Sequence, residues 1–256
     1  MDFLISKYAI LLKSLQSAGF FYKTFENFIE NPVKEKCIIL RHDVDRNPQN
    51  ALIMAKIERS LGIKTTYYFR IVTGVWNEKI MKEIVTLGHE VAYHYEDFTI
   101  GEGNFEKAIN HFETQLSRFR KIYPLKTICM HGSPMSKWDN RKLWEKYDYH
   151  DYGIIAEPYF DVDFNEVFYI TDASRSWNNE KVSIRDKVET NFNISIKSTQ
   201  DIIDIVNNGE MPGQVMINIH PHNWAVNNLE WLKIFMWQGM KNTVKRVIIK
   251  SKKKSK

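Results

Sequence analysis

The stretch Cys37-Ile38-Ile39-Leu40-Arg41-His42-Asp43-Val44-Asp45 decides how the rest of the chain is read. An apolar run ends abruptly in two carboxylates one residue apart. That is the pattern of a buried parallel strand whose last residues leave the core and enter a site. Side chains alternate along a strand, so Asp43 and Asp45 point to one side and Val44 points back into packing. Two acids in one small volume raise each other's pKa unless a cation or a proton-transfer role employs them, which points to metal or acid/base chemistry. The competing reading makes them caps of a helix beginning near Pro48, because Asp is common before helices.

Working outward, strand and helix take turns. Phe3, Leu4, Tyr8, Leu11, Leu12 and Leu15 recur at helical spacing before Gly19, which predicts an amphipathic packing helix. Residues 20–36 read as a connector. Downstream of the carboxylate strand, Pro48 to Leu61 is a helix with proline at its start and Gly62 at its stop. Thr65 to Ile71 is a strand, Asn77 to Leu87 a helix, His89 to His94 a strand, Asn104 to Tyr123 a long helix and Lys126 to His131 a strand. Trp138 to Tyr147 reads as a helix, with strand candidates at Ile154 to Ile155 and Val167 to Thr171. Asp172 to Ile196 is irregular. Ser198 caps a helix through Val206, Gln214 to His220 is a last strand, and a helix lies around Leu229 to Met240. No repeat or low-complexity linker interrupts this order, which implies a parallel sheet, open or closed into a barrel.

Composition bounds the rest. At 256 residues, 43% hydrophobic and 26% charged, the chain suffices for one α/β domain over residues 1–249, followed by a basic tail at 250–256. The formal charge is +5, and the lysines of that tail account for all of it. A neutral body gives no nucleic-acid footprint, and the tail reads as a solvated end. Cys37 and Cys129 lie in apolar runs and read as small buried hydrophobes, compatible with a reducing, cytoplasmic compartment. The first residues are interrupted by charge, so they read as neither signal peptide nor membrane span.

Nearly every expected strand ends in polar or ionisable residues: Asp43 and Asp45, Arg70, His94, His131, Asp172, His220. In parallel α/β folds the carboxyl ends of the strands share one face, where sites form. Residues far apart in sequence are therefore expected to meet.

Leu40-Arg41-His42-Asp43-Val44-Asp45, then Gly88-His89-Glu90-Val91-Ala92-Tyr93-His94, then Ile219-His220-Pro221 resemble, in that order, the motifs of the polysaccharide deacetylase family, carbohydrate esterase family 4. The resemblance runs from the first strand to the last. It implies a distorted (β/α) TIM-like barrel of seven or so strands and metal-dependent hydrolysis of an acetamide on a sugar. The family's first motif has adjacent aspartates, a catalytic base and a metal ligand; here Val44 separates them. Asp43 sits most naturally as base and Asp45 as ligand, with the reverse assignment open. His94 matches a metal-binding histidine. Phe98 stands where the family has a second ligand, leaving Asp97 or His131 for that place, and His131 is preferred because imidazole suits zinc and a strand end aims it. His220 matches the histidine that protonates the departing amine, with His222 as a weaker claimant. His89 corresponds to a residue that is not a ligand.

Asp172 with Trp177 loosely resembles a pair that tunes the acid histidine, and the family's arginine and proline motif has no clean counterpart. These departures resemble a divergent branch associated with bacterial surface-glycan assembly. The resemblance thus implies a carbohydrate N-deacetylase that uses Zn2+ or another divalent cation on a glycan or nucleotide sugar. Two other classes stand beside it: a barrel metallohydrolase acting on another amide or ester, and a catalytically silent glycan-binding relative. Tyr67, Tyr93, Tyr95, Trp177 and Trp224 read chiefly as packing, with stacking on sugar rings as the alternative.

Overall fold

The structure is a computed structural model that describes residues 1–178, 187–237 and 239. Residues 179–186 of the irregular stretch, the expected helix end at Met240 and the basic segment 250–256 lie outside the described residues. Helix α1 (Ile5–Ser17) buries Ile5, Tyr8, Leu11, Leu12 and Leu15, as its spacing requires. The stretch read as a connector holds strand β1 (Phe21–Lys23) and helix α2 (Phe25–Glu30). Three residues are too few for a period-2 signal, and α2 is set by Thr24, whose side chain accepts from the Asn27 N–H at 3.2 Å.

Strand β2 (Cys37–Val44) is buried along its whole length. Helix α3 (Pro48–Ser60) follows. Its N-cap is Asn47 in the left-handed region (φ 48°), with Pro48 in the first turn. Asp43 and Asp45 therefore do not cap it. The alternation continues with β3 (Thr66–Phe69), α4 (Glu78–Thr86), β4 (Glu90–Tyr95), α5 (Asp97–Ile100), α6 (Phe105–Arg120) and β5 (Ile128–Met130). Next come α7 (Pro158–Asp161), β6 (Phe168–Thr171), α8 (Thr199–Asn207) and β7 (Gln214–Ile219).

Two expected elements differ. Trp138 to Tyr147 is a 3₁₀ helix over Asn140–Glu145. Fully buried Asn140 is pinned there: its Nδ2 donates to the His131 carbonyl (2.7 Å) and its Oδ1 accepts from the Thr99 N–H (2.8 Å), so the segment is shaped by the loop it supports. The strand candidate at Ile154 to Ile155 amounts to one parallel bridge between Thr127 and Ala156.

Among the described residues all seven strands are parallel and form one curled sheet, a barrel-like wall in the order β5-β4-β3-β2-β7-β6, with β1 pairing β2 off this path. Strand β1 pairs with Cys37 to Ile39 at the start of β2, and β3 pairs with Arg41 to Val44 at its end. From Cys37 to Leu40 the central strand sorts its side chains by parity, while Val44 at its end joins the cluster of Cys37 and Ile39. Ile38 and Leu40 pack with α1, α8 and the outward residues of β6 and β7, while Cys37 and Ile39 join the larger cluster that includes α4 and α6. Because every strand runs the same way, their carboxyl ends gather at one end of the sheet. Among the described residues no helix is long and apolar enough to cross a membrane.

Candidate active site

Asp45 follows the last residue of β2, His94 lies near the end of β4, and His131 follows β5. The His131 N–H continues the ladder by donating to the Tyr95 carbonyl at 2.8 Å. The three side chains meet. His94 Nε2 lies 3.5 Å and His131 Nε2 3.4 Å from Asp45 Oδ1, and one ligand atom from each residue falls within 4.8 Å of the others. His94 and His131 are buried, and the Asp45 side chain is 17% exposed. Asp97, the alternative to His131, faces elsewhere. Its carboxylate accepts from Tyr93 Oη at 2.8 and 2.9 Å and is held by His111 Nδ1.

Each imidazole is fixed by its other nitrogen. His94 Nδ1 lies 2.9 Å from the Cys129 carbonyl, which can only accept, so Nδ1 carries a hydrogen and Nε2 faces the site. His131 Nδ1 lies 3.1 Å from Glu96 Oε2 and 3.0 Å from Ser133 Oγ. Arg70 donates twice to Glu96, Nε to Oε1 at 2.8 Å and Nη2 to Oε2 at 2.7 Å. Burial opposes ionisation of Glu96, but His131 and Arg70 hold it down at about 2. A carboxylate behind a histidine is the usual support of a metal-binding ring.

The donor set fits a divalent cation. Two imidazole nitrogens and one carboxylate suit zinc and similar ions. Asp45 Oδ1 is buried with no hydrogen-bond donor, as is Asp43 Oδ1, and orphaned buried oxygens are costly unless something charged meets them. Asp43, His94 and Cys129 form a second grouping of the same kind that shares His94; the sequence presented Cys129 only as a small hydrophobe.

Asp43 lies beside the triad, its Oδ2 3.8 Å from His94 Nε2. The same Oδ2 accepts from Arg41 Nη2 (3.1 Å) and Asn218 Nδ2 (2.9 Å). Burial works against its charge, yet Arg41, then His94 and His220, keep its carboxyl below the ordinary range. Burial likewise opposes Asp45, and His131, His94 and His220 bring it well below that range. The buried Arg41 guanidinium also lies over the rings of Tyr159 and Tyr169 at 5.2 and 5.8 Å. An arginine in the same strand as the carboxylates thus anchors Asp43, although the sequence offered no counterpart of the arginine motif.

His220 follows β7 and meets Asp172, which follows β6. Asp172 Oδ1 lies 2.7 Å from His220 Nδ1 and accepts the His220 N–H at 2.9 Å. Burial disfavours the charged ring, but the Asp172 contact and charge, followed by Asp45 and Asp43, raise His220 to about 10. The tryptophan on this aspartate is Trp224, whose Nε1 donates to Asp172 Oδ2 at 2.8 Å; Trp177 instead donates to Thr199 Oγ1 at 3.1 Å. His222 has its ring centroid 5.8 Å from that of His220. Tyr67, Tyr93, Tyr95, Trp177 and Trp224 are all buried in the core, where no sugar face reaches them. His89 is structural: Nε2 meets the Ala55 carbonyl (3.0 Å) and Nδ1 accepts the Thr65 N–H (3.2 Å).

No known family's sequence pattern matches the chain, and no curated protein does. Among solved structures it is similar to the Xyl-CE4 domain of a multidomain xylanase from the hindgut metagenome of Trinervitermes trinervoides, at 15% identity over 82% of this chain and 85% of that one, with a TM-score of 0.40. At that score the likeness is loose, and the chemistry of the site has to be read from its own side chains.

Proposed function

We propose that the chain is a metal-dependent hydrolase that removes the acetyl group from an N-acetylated sugar or glycan. The observation that carries this reading is the meeting of Asp45, His94 and His131, each with a ligand atom turned to one point, beside a buried aspartate and a buried histidine of opposite charge. The sugar acetamide as substrate comes from the motif order in the sequence, the hydrolytic chemistry from the side chains.

Asp45, His94 and His131 would hold the cation, which when bound supplies Lewis-acid polarisation of a carbonyl and a more acidic water. The remaining work belongs to the protein. Asp43 takes a proton: Arg41 and Asn218 hold one oxygen in place, and Oδ1 is left without a donor. Its lowered pKa keeps it ionised at neutral pH, so the open Oδ1 is in the form that can accept a proton. His220 is held in its charged form by Asp172 and can give a proton to a departing nitrogen. Base and acid steps of this kind each contribute roughly 10²–10⁴ in rate. Arg70 and Glu96 keep His131 turned to the site, and Trp224 keeps Asp172 aimed at His220.

The test is to load the full chain with zinc, incubate it with N-acetylated oligosaccharides and nucleotide sugars, and assay free acetate. Wild type should release acetate, while Asp43→Asn should keep its metal and release none. Unchanged release by Asp43→Asn removes the base assignment. A chain that takes up no metal and releases no acetate across the panel is not this enzyme.

A further inference from the structure

Helical residues 228–237 are held by one face and bare on another. On the held face, Trp231 Nε1 donates to the Asp2 carbonyl at 2.6 Å, and the Arg175 guanidinium lies 4.9 Å from the Trp231 ring. On the other, Leu229, Leu232 and Met236 are between 50% and 66% exposed, and Phe235, at the edge of the stripe where its ring stacks on Trp231 at 5.0 Å, is still 54% exposed. At 3.6 residues per turn these four fall on one stripe roughly 120° wide. Single exposed apolar side chains are ordinary, but a contiguous stripe marks a contact surface.

The sequence that follows says what that contact is. Residues 241–256 contain Lys241, Lys245, Arg246, Lys250, Lys252, Lys253, Lys254 and Lys256 and no acid. An apolar protein partner would leave this charge unused, and a nucleic acid would leave the stripe unused. An anionic phospholipid surface uses both: the stripe enters the boundary between headgroups and acyl chains, and the cations meet the headgroups. The helix that carries the stripe is tied to the candidate site through Arg175, which lies over the Trp231 ring. Arg175 Nε donates to the Asn223 carbonyl (3.2 Å), Asn223 Nδ2 to the Asp172 carbonyl (3.0 Å), and Asp172 holds His220.

We propose that the chain binds anionic membranes peripherally, through Leu229, Leu232, Phe235 and Met236 together with the basic residues that follow. This inference stands apart from the deacetylase reading and survives its failure.

Sedimentation of the full chain with vesicles tests it, using phosphatidylcholine alone and phosphatidylcholine mixed with phosphatidylglycerol. Wild type should pellet with the anionic vesicles, stay in solution with the neutral ones, and be released by salt. Replacing Lys252, Lys253 and Lys254 by glutamine should weaken partitioning about fivefold per lysine. Leu232→Glu combined with Met236→Glu should abolish it, with the circular dichroism of wild type retained because both side chains are exposed. Failure of wild type to pellet with anionic vesicles at low salt overturns the proposal. So does full binding by the Leu232/Met236 variant, which would assign the effect to charge alone. A wild-type dimer that this variant splits, with neither form pelleting, would make the stripe a self-association face and overturn it too.

Discussion

His131 turns its Nδ1 to Glu96 at 3.1 Å, and Glu96 is gripped by both forks of Arg70. The ring that offers Nε2 to the site is thus oriented by a carboxylate that is itself fixed by an ion pair. Removing the middle member takes away the fixed carboxylate and leaves only the Ser133 hydroxyl, 3.0 Å away, at His131 Nδ1. Glu96→Ala is expected to weaken zinc binding roughly 10–100-fold, measured by competition with a chromophoric chelator. Wild-type affinity in Glu96→Ala would mean that packing, not the carboxylate, orients His131.

The two candidates for the third ligand are separated by the same measurement. His131→Ala deletes an imidazole aimed at Asp45 Oδ1 from 3.4 Å. Asp97→Ala deletes a carboxylate engaged with Tyr93 and His111. Zinc stoichiometry should collapse in the first and persist in the second, while Asp97→Ala should lose stability because the Tyr93 hydroxyl is left buried without an acceptor. Loss of metal in Asp97→Ala, with retention in His131→Ala, would transfer the ligand role to Asp97.

How far the sequence reached follows from what a local pattern can carry. The parallel sheet was legible because short apolar runs alternate from Cys37 to Ile219 with longer helical stripes, and length and flanking glycine, proline and cap residues distinguish them. The strand-end rule then pointed to the residues that meet, since every parallel strand delivers its last side chains to one end. Pairings across elements carry no such signal. Arg41 sits inside a fully buried strand, where a charge is rare without a partner; that oddity was the available hint that it binds Asp43. Asn218, a lone polar residue in Val215-Met216-Ile217-Asn218-Ile219, was a second. Glu96 offered none, because its role depends on Arg70 and His131 arriving from neighbouring strands. Trp224 rather than Trp177 reaches Asp172 because the turn after β7 places it there, which spacing in the sequence does not reveal. Short pieces such as β1 and the 3₁₀ helix at Asn140–Glu145 are decided by single side-chain anchors rather than by periodicity.

The acid role given to His220 predicts a pH dependence with a definite sign. A general acid acts while protonated, so its contribution is present below its pKa and disappears as pH rises through it. Asp172, Asp45 and Asp43 raise His220 to about 10. A bound cation offsets the charge of Asp45 and brings the alkaline limb of the acetate-release profile below that value. Asp172→Asn removes the largest support and should move the limb further down by about a unit or more, since each unit corresponds to roughly 1.4 kcal/mol of lost interaction. An alkaline limb that does not move in Asp172→Asn would detach it from His220.

A buried carboxylate away from the site contributes to the acid stability. Glu58 on α3 receives Thr65 Oγ1 at 2.7 Å and Tyr67 Oη at 2.8 Å, is capped by Tyr8 Oη, and lies 2.8 Å from His42 Nε2. Burial alone would raise its pKa, but His42, His89 and Tyr8 bring it down to about 2 from an ordinary 4.5. A carboxylate depressed on folding contributes stability that is full above its unfolded pKa and is lost as pH falls through the folded one. The window here runs from about 4.5 down to about 2, and the shift corresponds to about 3 kcal/mol. Glu58→Gln keeps the volume but not the charge. Urea unfolding should therefore show a stability gap between wild type and Glu58→Gln that is widest near neutral pH and closes as pH approaches 2. A gap that stays constant across that range would assign the loss to hydrogen-bond geometry at Tyr8, Thr65 and Tyr67, not to the carboxylate charge.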